Sequence, residues 1–481
     1  MASTDKQRAQ SAQGSGGPRP RTYALPAPFS RRATVAWAVV VGVLLAAGAF
    51  SMFDRLANGL GMAGATNAVP WGLWVVVYIW FSGLAGGLYL VSALVYLLRL
   101  PRFAPIARLS LGLSIVSLIV SMIFIGIDLG AIRHSLGTLL FFHWSSPLAW
   151  EIKAYVFFMA IAVVQFALVL LGDKRAAEAA VGGDGDGDAG AAAGASSDEG
   201  LRRRGNVNLA IRVLAGVGVA TSFVGPPGGT GMFFAAVKTR GLWEGGITSV
   251  LFYVMAVVTA AAFLIVAYRL LARLRGARPD AGALAGLNRV LAASLFALAF
   301  CVFFQVAPAL LSGDPAVAAA VQVMVAGPLS PLFWLGEIGL GLVAPAVLLA
   351  VGAARSRNGR ADAAAGGAWA VGAALSAMAG ILALRYVLVV AGFSVPLLAG
   401  LPTPAYVPSA GEVMVAVFVL GLAVGCYGLA VRLLPLERVG ASEGEERLES
   451  AYAETAAASD AGAAPRDEGS WAKEVRDGGA A

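Results

Sequence analysis

Ten long apolar runs constrain the fold of this chain more than any other feature of its sequence. A bilayer offers no hydrogen-bond partners to the backbone, so a segment that crosses it must be an α-helix or part of a closed barrel. Runs of this length predict transmembrane helices rather than strands. We expect an all-α polytopic membrane protein with spans at about residues 33–53, 70–97, 106–127, 148–172, 207–224, 247–272, 286–311, 331–353, 368–392 and 411–434.

Composition agrees with this expectation. The chain is 58% hydrophobic and only 13% charged, whereas soluble proteins carry about 25% charged residues. The net charge of +7 does not indicate nucleic-acid binding, because many Lys and Arg residues flank the apolar runs, where they set topology. We therefore expect membrane lipid, and no nucleic acid, around this chain.

The distribution of basic residues predicts that both termini are cytoplasmic. With the N-terminus inside, the inner loops hold most of the Lys and Arg residues of the chain, as the positive-inside rule requires. Five basic residues fall on the predicted outer side, namely Arg55, Arg133, Lys153, Lys238 and Arg240. The expected location is the cytoplasmic (inner) membrane of a bacterium or an archaeon.

Polar, low-complexity segments divide the chain. We predict a disordered cytoplasmic N-tail at 1–32, a first helical bundle of spans 1–4 at 33–172, a cytoplasmic linker at 173–206, a second helical bundle with the terminal spans at 207–437, and a disordered C-tail at 438–481. An internal repeat accompanies this division: Ser146–Trp150 opens the fourth span and Ser330–Trp334 opens the eighth. An offset of four spans gives the two halves the same orientation.

Few metal ligands are available. The cysteines are Cys301 and Cys426, whereas a cubane iron–sulfur cluster needs about four thiolates. The histidines, His134 and His143, lie in one loop and cannot supply the axial ligands of several haems. We expect no metal or haem in this chain.

The stretch from Asp128 to Tyr155 concentrates polar chemistry between two apolar runs. It contains both histidines, Asp128, Arg133, Glu151 and Lys153, with Trp150 and Tyr155 close behind. Ionisable groups at a membrane boundary are costly to leave unpaired and therefore suggest function.

Embedded charged residues fall almost entirely in the predicted outer leaflet, and the inner halves of the spans are nearly apolar. This pattern favours a one-sided pocket for an amphipathic molecule, such as a quinone, over a path that crosses the membrane. Other interpretations stay open at this stage. Trp71 and Trp74 could be interfacial anchors, and Glu337 could pair with Arg385 as a structural element. Gly83 and Gly87 predict close helix packing.

Four stretches resemble the NrfD/PsrC (polysulfide reductase membrane subunit) family, and particularly its ten-span, HybB-like branch. They are Pro70–Trp74 with the glycines up to Gly87, Asp128–Gly130 with Ser146–Glu151, Phe333–Glu337, and Tyr406–Glu412 with Arg432–Pro435. One departure follows Gly130, where many relatives have Arg-Pro and this chain has Ala131-Ile132, with the arginine delayed to Arg133.

The resemblance implies two side-by-side four-helix bundles and a quinone site near the outer face. It also implies electron exchange with a ferredoxin-like iron–sulfur subunit, and through it with a molybdopterin or hydrogenase catalytic subunit, as in anaerobic respiration. The substrate would be menaquinone or ubiquinone, and the iron–sulfur clusters would lie in the partner. The acid that ends the family's third span would be Asp128, and the acid of its Ser-Pro-x-x-Trp-Glu stretch would be Glu151.

We therefore predict a quinone-reactive membrane subunit of a respiratory oxidoreductase. Asp128, His134 and Glu151 are the expected proton-handling residues, and the expected quinone pocket contains Tyr78, Arg133, Trp150, Tyr155, Glu337 and Arg385. The outer loops near 54–69, 128–147 and 225–245 would dock the iron–sulfur partner. The alternatives are a permease with an outward-facing site and a purely structural anchor.

Overall fold

The computed structural model describes residues 29–130, 137, 140–141, 144–181, 192–311, 313–357, 367–396 and 404–436, with the main chain alone at 173–181, 192–205 and 357. These residues form helices joined by short connections, and no strand occurs among them. The predicted C-tail, residues 1–28 of the predicted N-tail, and Arg133, His134 and His143 lie outside the described residues. The end of the predicted N-tail is wrong, because Arg31 and Arg32 already belong to the first helix, which Ser30 caps.

Twelve α-helices and one π-helical segment, Leu332–Val343, make up the described structure apart from short 3₁₀ turns. The π-helical segment runs directly into α10. The α-helices are α1 (Arg31–Asn58), α2 (Leu73–Tyr96), α3 (Ala104–Asp128), α4 (Pro147–Val181), α5 (Ala192–Ser222), α6 (Gly228–Ala235), α7 (Gly246–Arg275), α8 (Ala281–Leu310), α9 (Pro315–Val325), α10 (Ala344–Arg357), α11 (Gly367–Phe393) and α12 (Ala410–Leu433).

Nine helices of the described chain are long and apolar enough to cross a membrane, which confirms the predicted all-α membrane fold. They correspond to every predicted span except the fifth. That span, predicted at 207–224, coincides with the shorter apolar part of α5, Asn206–Ser222. The count of ten spans and the inward orientation of the termini stay predictions.

The helices pack in two rings of four. Helices α2, α3, α4 and α5 contact one another in sequence and close the first ring through α5 and α2. Helices α7, α8 and α11 form the second ring with the continuous helix made of the π-helical segment and α10. The two rings meet where α2 packs on α7 and α11, while α1 and α12 pair with each other beside α3. Helix α2 is therefore the central element, and 89% of the residues in its most apolar stretch are buried.

Local sequence sets several helix ends. Ser30, Asp280, Asp314 and Ser409 each accept a backbone N–H in the first turn of a helix, which is the usual N-cap interaction. Pro147 opens α4, where its missing N–H would have had no helical partner.

Two segments differ from the sequence-based expectation. Helix α4 continues to Val181 and α5 begins at Ala192, so both helices extend into the segment predicted as a linker. Its many alanines explain this, because alanine has the highest helix propensity. The loop predicted at 225–245 contains the short helix α6, which brings Thr230 into the first ring.

Candidate functional site

Glu151 is the centre of a buried polar cluster in the first ring. Its side chain is 2% exposed, one turn inside α4. The carboxylate oxygen Oε1 accepts hydrogen bonds from the hydroxyls of Tyr78 at 3.1 Å, Tyr155 at 2.9 Å and Thr230 at 2.6 Å. These donors come from α2, α4 and α6, so the Glu151 cluster forms only when three helices are packed.

A second set of hydroxyl contacts extends the Glu151 cluster. Tyr155 Oη lies 2.5 Å from Ser82 Oγ and 2.6 Å from Thr230 Oγ1. Tyr78 and Ser82 stand one turn apart on α2, as Glu151 and Tyr155 do on α4, so each pair shares one helix face. The result is a connected network of hydroxyl groups around one carboxylate.

The other carboxylate oxygen of Glu151 has no hydrogen-bond partner among the described residues. A buried polar atom in this condition costs free energy unless a proton, water or ligand satisfies it. This oxygen is therefore the position in the Glu151 cluster where a proton can be held or a ligand group bound.

Arg385, on α11, is fully buried close to Tyr78 and Tyr155 of the Glu151 cluster. None of its three guanidinium nitrogens has a hydrogen-bond acceptor within the described parts of the chain. It lies within electrostatic range of both Tyr78 and Tyr155, the two phenols that also face Glu151. The guanidinium lies over the Phe252 ring, 6.0 Å from its centroid. A buried cation without a hydrogen-bonded counter-charge is expensive, so an ionised Glu151 close by would stabilise it.

Glycines on α2 make this arrangement possible. A Cβ at Gly83 would collide with the Arg385 guanidinium, and a Cβ at Gly87 would collide with the Ala256 carbonyl on α7. The predicted close packing is thus confirmed at Gly87, because the α7 backbone approaches there. At Gly83 the missing side chain leaves space for a charged group, which the spacing of glycines alone did not indicate.

A separate buried acid, Glu412, connects the start of α12 to the start of α2. Its carboxylate accepts hydrogen bonds from Leu73 N at 2.8 Å, from the Tyr406 hydroxyl at 2.6 Å and from Gly64 N at 3.2 Å. Burial, and then the neighbouring Glu412 carboxylate, raise the pKa of the Tyr406 phenol above its ordinary value. Both oxygens of Glu412 are satisfied by the protein, so this arrangement is structural.

The chain was also compared with known proteins. The family described as polysulphide reductase, NrfD, matches residues 61–396, which is more than half of the chain. This chain belongs to the NrfD family. The match spans both rings and every residue of the Glu151 cluster.

Relatives with curated descriptions are parts of oxidoreductases. This NrfD protein is 26% identical to a selenate reductase subunit of Mesobacillus selenatarsenatis, over 82% of this chain and 93% of the relative. It is 25% identical to a protein of Halobacterium salinarum described as a dimethyl sulfoxide reductase membrane subunit, over 86% and 95%. It is 22% identical to an Hdr-like menaquinol oxidoreductase integral membrane subunit of Archaeoglobus fulgidus, over 58% and 61%.

The predicted site residues of this NrfD protein do not all lie in one cluster. Tyr78, Tyr155 and Glu151 are in direct contact, with Arg385 beside them. Asp128 instead lies half-buried near Arg55 and Glu412, and within the described residues it makes no hydrogen bond to the Glu151 cluster. Arg55 itself donates to the Ile127 and Leu129 carbonyls at the end of α3.

The remaining predicted residues have other environments. Trp150 is 49% exposed, and its indole donates to the Trp144 carbonyl at 2.9 Å, so it is not part of the buried Glu151 cluster. Glu337 is buried in the π-helical segment. It does not pair with Arg385, whose guanidinium has no described acceptor. Arg133 and His134 cannot be placed.

The two tryptophans considered as interfacial anchors are packed inside the protein. Trp74 is 1% exposed and donates to the Glu412 carbonyl at 3.0 Å. Trp71 contacts an aromatic group that includes Phe234 and Trp243, with ring centroids 5.4 and 5.5 Å away. Trp243 in turn donates to the Leu388 carbonyl at 2.7 Å, so this aromatic group joins α6 to α11.

Sequence reasoning missed Ser82 and Thr230. Ser82 could have been found, because it follows Tyr78 by four residues on one helix face. Thr230 lies in a glycine-rich segment, Gly225–Gly231, whose resemblance to a phosphate loop is superficial. Sequence reasoning also missed a contact further along α2, where the Tyr89 hydroxyl lies within hydrogen-bond distance of both the Gln165 side-chain oxygen and the Leu214 carbonyl. Buried polar contacts of the first ring therefore extend along α2 beyond the Glu151 cluster, which the count of charged residues did not predict.

Among the described residues, no group of three or more His, Cys, Asp and Glu side chains is placed to hold a metal ion.

Proposed function

We propose that this NrfD protein is the membrane subunit of an oxidoreductase complex and that it exchanges electrons and protons with a quinone at the Glu151 cluster. Family membership and the three relatives support the role of membrane subunit. The name of one relative, a menaquinol oxidoreductase subunit, supports quinone as the substrate class. The observation that carries the proposal is the buried Glu151 carboxylate, with one oxygen held by three hydroxyls and the other without a partner in the described part of the chain.

Quinone reduction consumes two electrons and two protons, so a site for it needs a positioned proton donor. Glu151 can hold a proton at Oε2, while Tyr78, Tyr155 and Thr230 fix the orientation of the carboxyl group through Oε1. The hydroxyls can also pass a proton among themselves, because Ser82, Tyr155 and Thr230 are mutually within hydrogen-bond distance.

Arg385 would stabilise the negative charge that develops on the quinone oxygen. Its unpaired N–H groups can donate to an oxygen that gains negative charge, and donors aimed at developing charge lower the barrier of a reaction. The same guanidinium compensates the charge of an ionised Glu151 through the intervening tyrosines. The site would thus be completed by a residue from the second ring.

The location and partners follow from the same proposal. With the predicted orientation, the Glu151 cluster lies toward the outer face of the cytoplasmic membrane. The outer connections near 54–69, 128–147 and 225–245 would receive an iron–sulfur subunit, which links the quinone to a molybdopterin or hydrogenase catalytic subunit. Asp128 and His134 remain candidates for delivering protons from the outer solvent.

The test replaces Glu151 by glutamine in the complete complex. We expect quinol-linked turnover to fall about 100-fold, as for the loss of a general acid–base group. Assembly and electron transfer to a soluble redox dye should be retained. Asp280→Asn is the matched control, because asparagine also caps helices well and Asp280 caps α8, which carries no residue of the Glu151 cluster.

The outcomes separate the three functions. Loss of assembly in Glu151→Gln would mark the residue as structural and contradict the proposal. Full quinol-linked turnover in that variant would do the same. Uptake of a solute by the protein purified without partners would support the permease.

A further inference from the structure

The second ring contains a cavity of about 250 Å³ that shares no residue with the Glu151 cluster. It lies between the segment that leads into α7, the last turns of α8, and α9. The residues that matter for its chemistry are Leu242, Glu244, Phe304, Gln305, Pro308 and Val317. Its lining combines apolar side chains with the carboxylate of Glu244 and the amide of Gln305.

That amide belongs to Gln305, which is 7% exposed. Its nitrogen Nε2 has no acceptor in the described parts of the chain. A buried amide donor without an acceptor is destabilising, and a ligand with an acceptor oxygen removes that penalty. The side chain thus favours an occupant that presents a carbonyl or a similar oxygen.

Pro308 adds an acceptor to the same wall. It lies inside α8 and has no N–H, so it cannot donate to the carbonyl four residues earlier. That carbonyl belongs to Phe304, which also lines the cavity. The wall therefore combines one unpaired donor and one carbonyl without its helical partner within a single turn of α8.

The surroundings determine the class of occupant. Phe300, Phe303 and Phe304 are 56%, 60% and 44% exposed on the same end of α8, so the cavity is approached along an apolar surface. Glu244, which is exposed, gives the cavity a negative edge and disfavours an anion. The volume is below the roughly 300–1,000 Å³ of pockets for drug-sized ligands, which suits a head group rather than a whole molecule.

We infer that this cavity binds the carbonyl-bearing head group of a neutral amphipathic molecule, with Gln305 donating to the carbonyl oxygen. The tail of the molecule lies along the phenylalanines of α8. A quinone ring and the ester region of a membrane lipid share this chemistry. The cavity is a second ligand site, separate from the proposed quinone-reactive site.

The experiment uses the intact complex and a naphthoquinone that carries a photoreactive azide. After illumination, mass spectrometry locates the labelled peptides, and native mass spectrometry counts the phospholipids that remain bound. We expect either labelling within 241–247 or 304–309 or one retained phospholipid. Gln305→Leu should reduce that signal about tenfold, the value of one hydrogen bond of about 1.4 kcal/mol.

Controls keep the result interpretable. Gln322→Leu removes an exposed amide from the neighbouring α9 and should leave the signal unchanged. Ala309→Leu fills the cavity from α8 and should abolish the signal if Gln305→Leu does not assemble. Competition by unlabelled naphthoquinone identifies a quinone, and competition by added phospholipid identifies a lipid.

The inference is overturned if neither signal changes in Gln305→Leu and Ala309→Leu, or if no label and no retained lipid map to the cavity. Labelling near Glu151, within 147–159, is an independent readout of the proposed function. Its absence would count against that function without affecting the second site.

Discussion

The Thr230 hydroxyl lies 2.6 Å from Glu151 Oε1, although the two residues are 79 positions apart in the chain. Thr230 belongs to the short helix α6, and Glu151 to the first turns of α4. This contact fixes the carboxyl group from a side that neither α2 nor α4 can reach. It makes the connection between α5 and α7 part of the candidate site.

Replacing Thr230 by valine tests this contact. Valine keeps the shape of threonine but removes the hydroxyl, so Glu151 loses one of three donors. A hydrogen bond to a charged group contributes roughly 1.5–3 kcal/mol, and we expect quinol-linked turnover to fall at least about tenfold. Steady-state assays of the intact complex measure this.

Thr248→Val is the matched control for that experiment. Thr248 is also fully buried, but its hydroxyl has no partner within the described structure. Turnover should be unchanged, and thermal stability should be equal or higher. Equal losses in the two variants would contradict a specific role for Thr230.

Gly83→Ala tests the space that holds Arg385. The added methyl group would collide with the guanidinium, so Arg385 or α2 must shift. We expect a lower melting temperature of the complex and a loss of quinol-linked turnover. Gly126→Ala on α3 is the control, since a Cβ there meets nothing within 4 Å. It should be neutral or slightly stabilising, because alanine favours helices.

Arg385 and Glu151 should be coupled through charge. Each is buried and both face Tyr78 and Tyr155, so removing one charge leaves the other without compensation. We expect Arg385→Met and Glu151→Gln each to lower the melting temperature of a complex that still assembles, and the double variant to lose less than the two effects together. A double-mutant cycle of thermal unfolding measures the coupling. Additive losses would show that the two charges act independently.

Glu412→Gln tests whether Glu412 stabilises the fold or takes part in quinone binding. Glutamine keeps one acceptor oxygen and replaces the other by an NH2 group, so at least one of the donors Leu73 N, Gly64 N and Tyr406 loses its acceptor. We expect about 1–3 kcal/mol of destabilisation and less assembled complex, while the KM for quinol of the surviving fraction is unchanged. A raised KM with normal stability would place Glu412 in the quinone site instead.

Much of the architecture could be predicted from sequence because the signals are local. Nine spans of the described chain match runs of apolar residues, and the Ser-Pro pair before α4 marks a helix start. The same reasoning selected Glu151, because an acid inside an apolar run is costly wherever the helix packs. Tyr155 follows from it, one turn further along the same face.

Other parts of the site are not local. Asp128 and Glu151 flank one loop, yet the structure places Asp128 beside Arg55 and Glu412. The reason is that α12 packs against α3 and that Arg55 of α1 donates to the carbonyls at the end of α3. Trp71 and Trp74 have the composition of interfacial anchors, but their neighbours on α6, α11 and α12 bury them.

The sequence by itself determined that this protein is a helical membrane protein, because bilayer solvation acts on each segment separately. Its similarity to the NrfD family over residues 61–396 is likewise a property of the sequence. Only the tertiary structure decided which polar groups share a site. Thr230 meets Glu151, and Arg385 occupies the gap at Gly83, because helix packing joins residues far apart in the chain. The hydropathy of a segment does not depend on which distant residues it contacts, so the hydropathy pattern did not predict these two contacts.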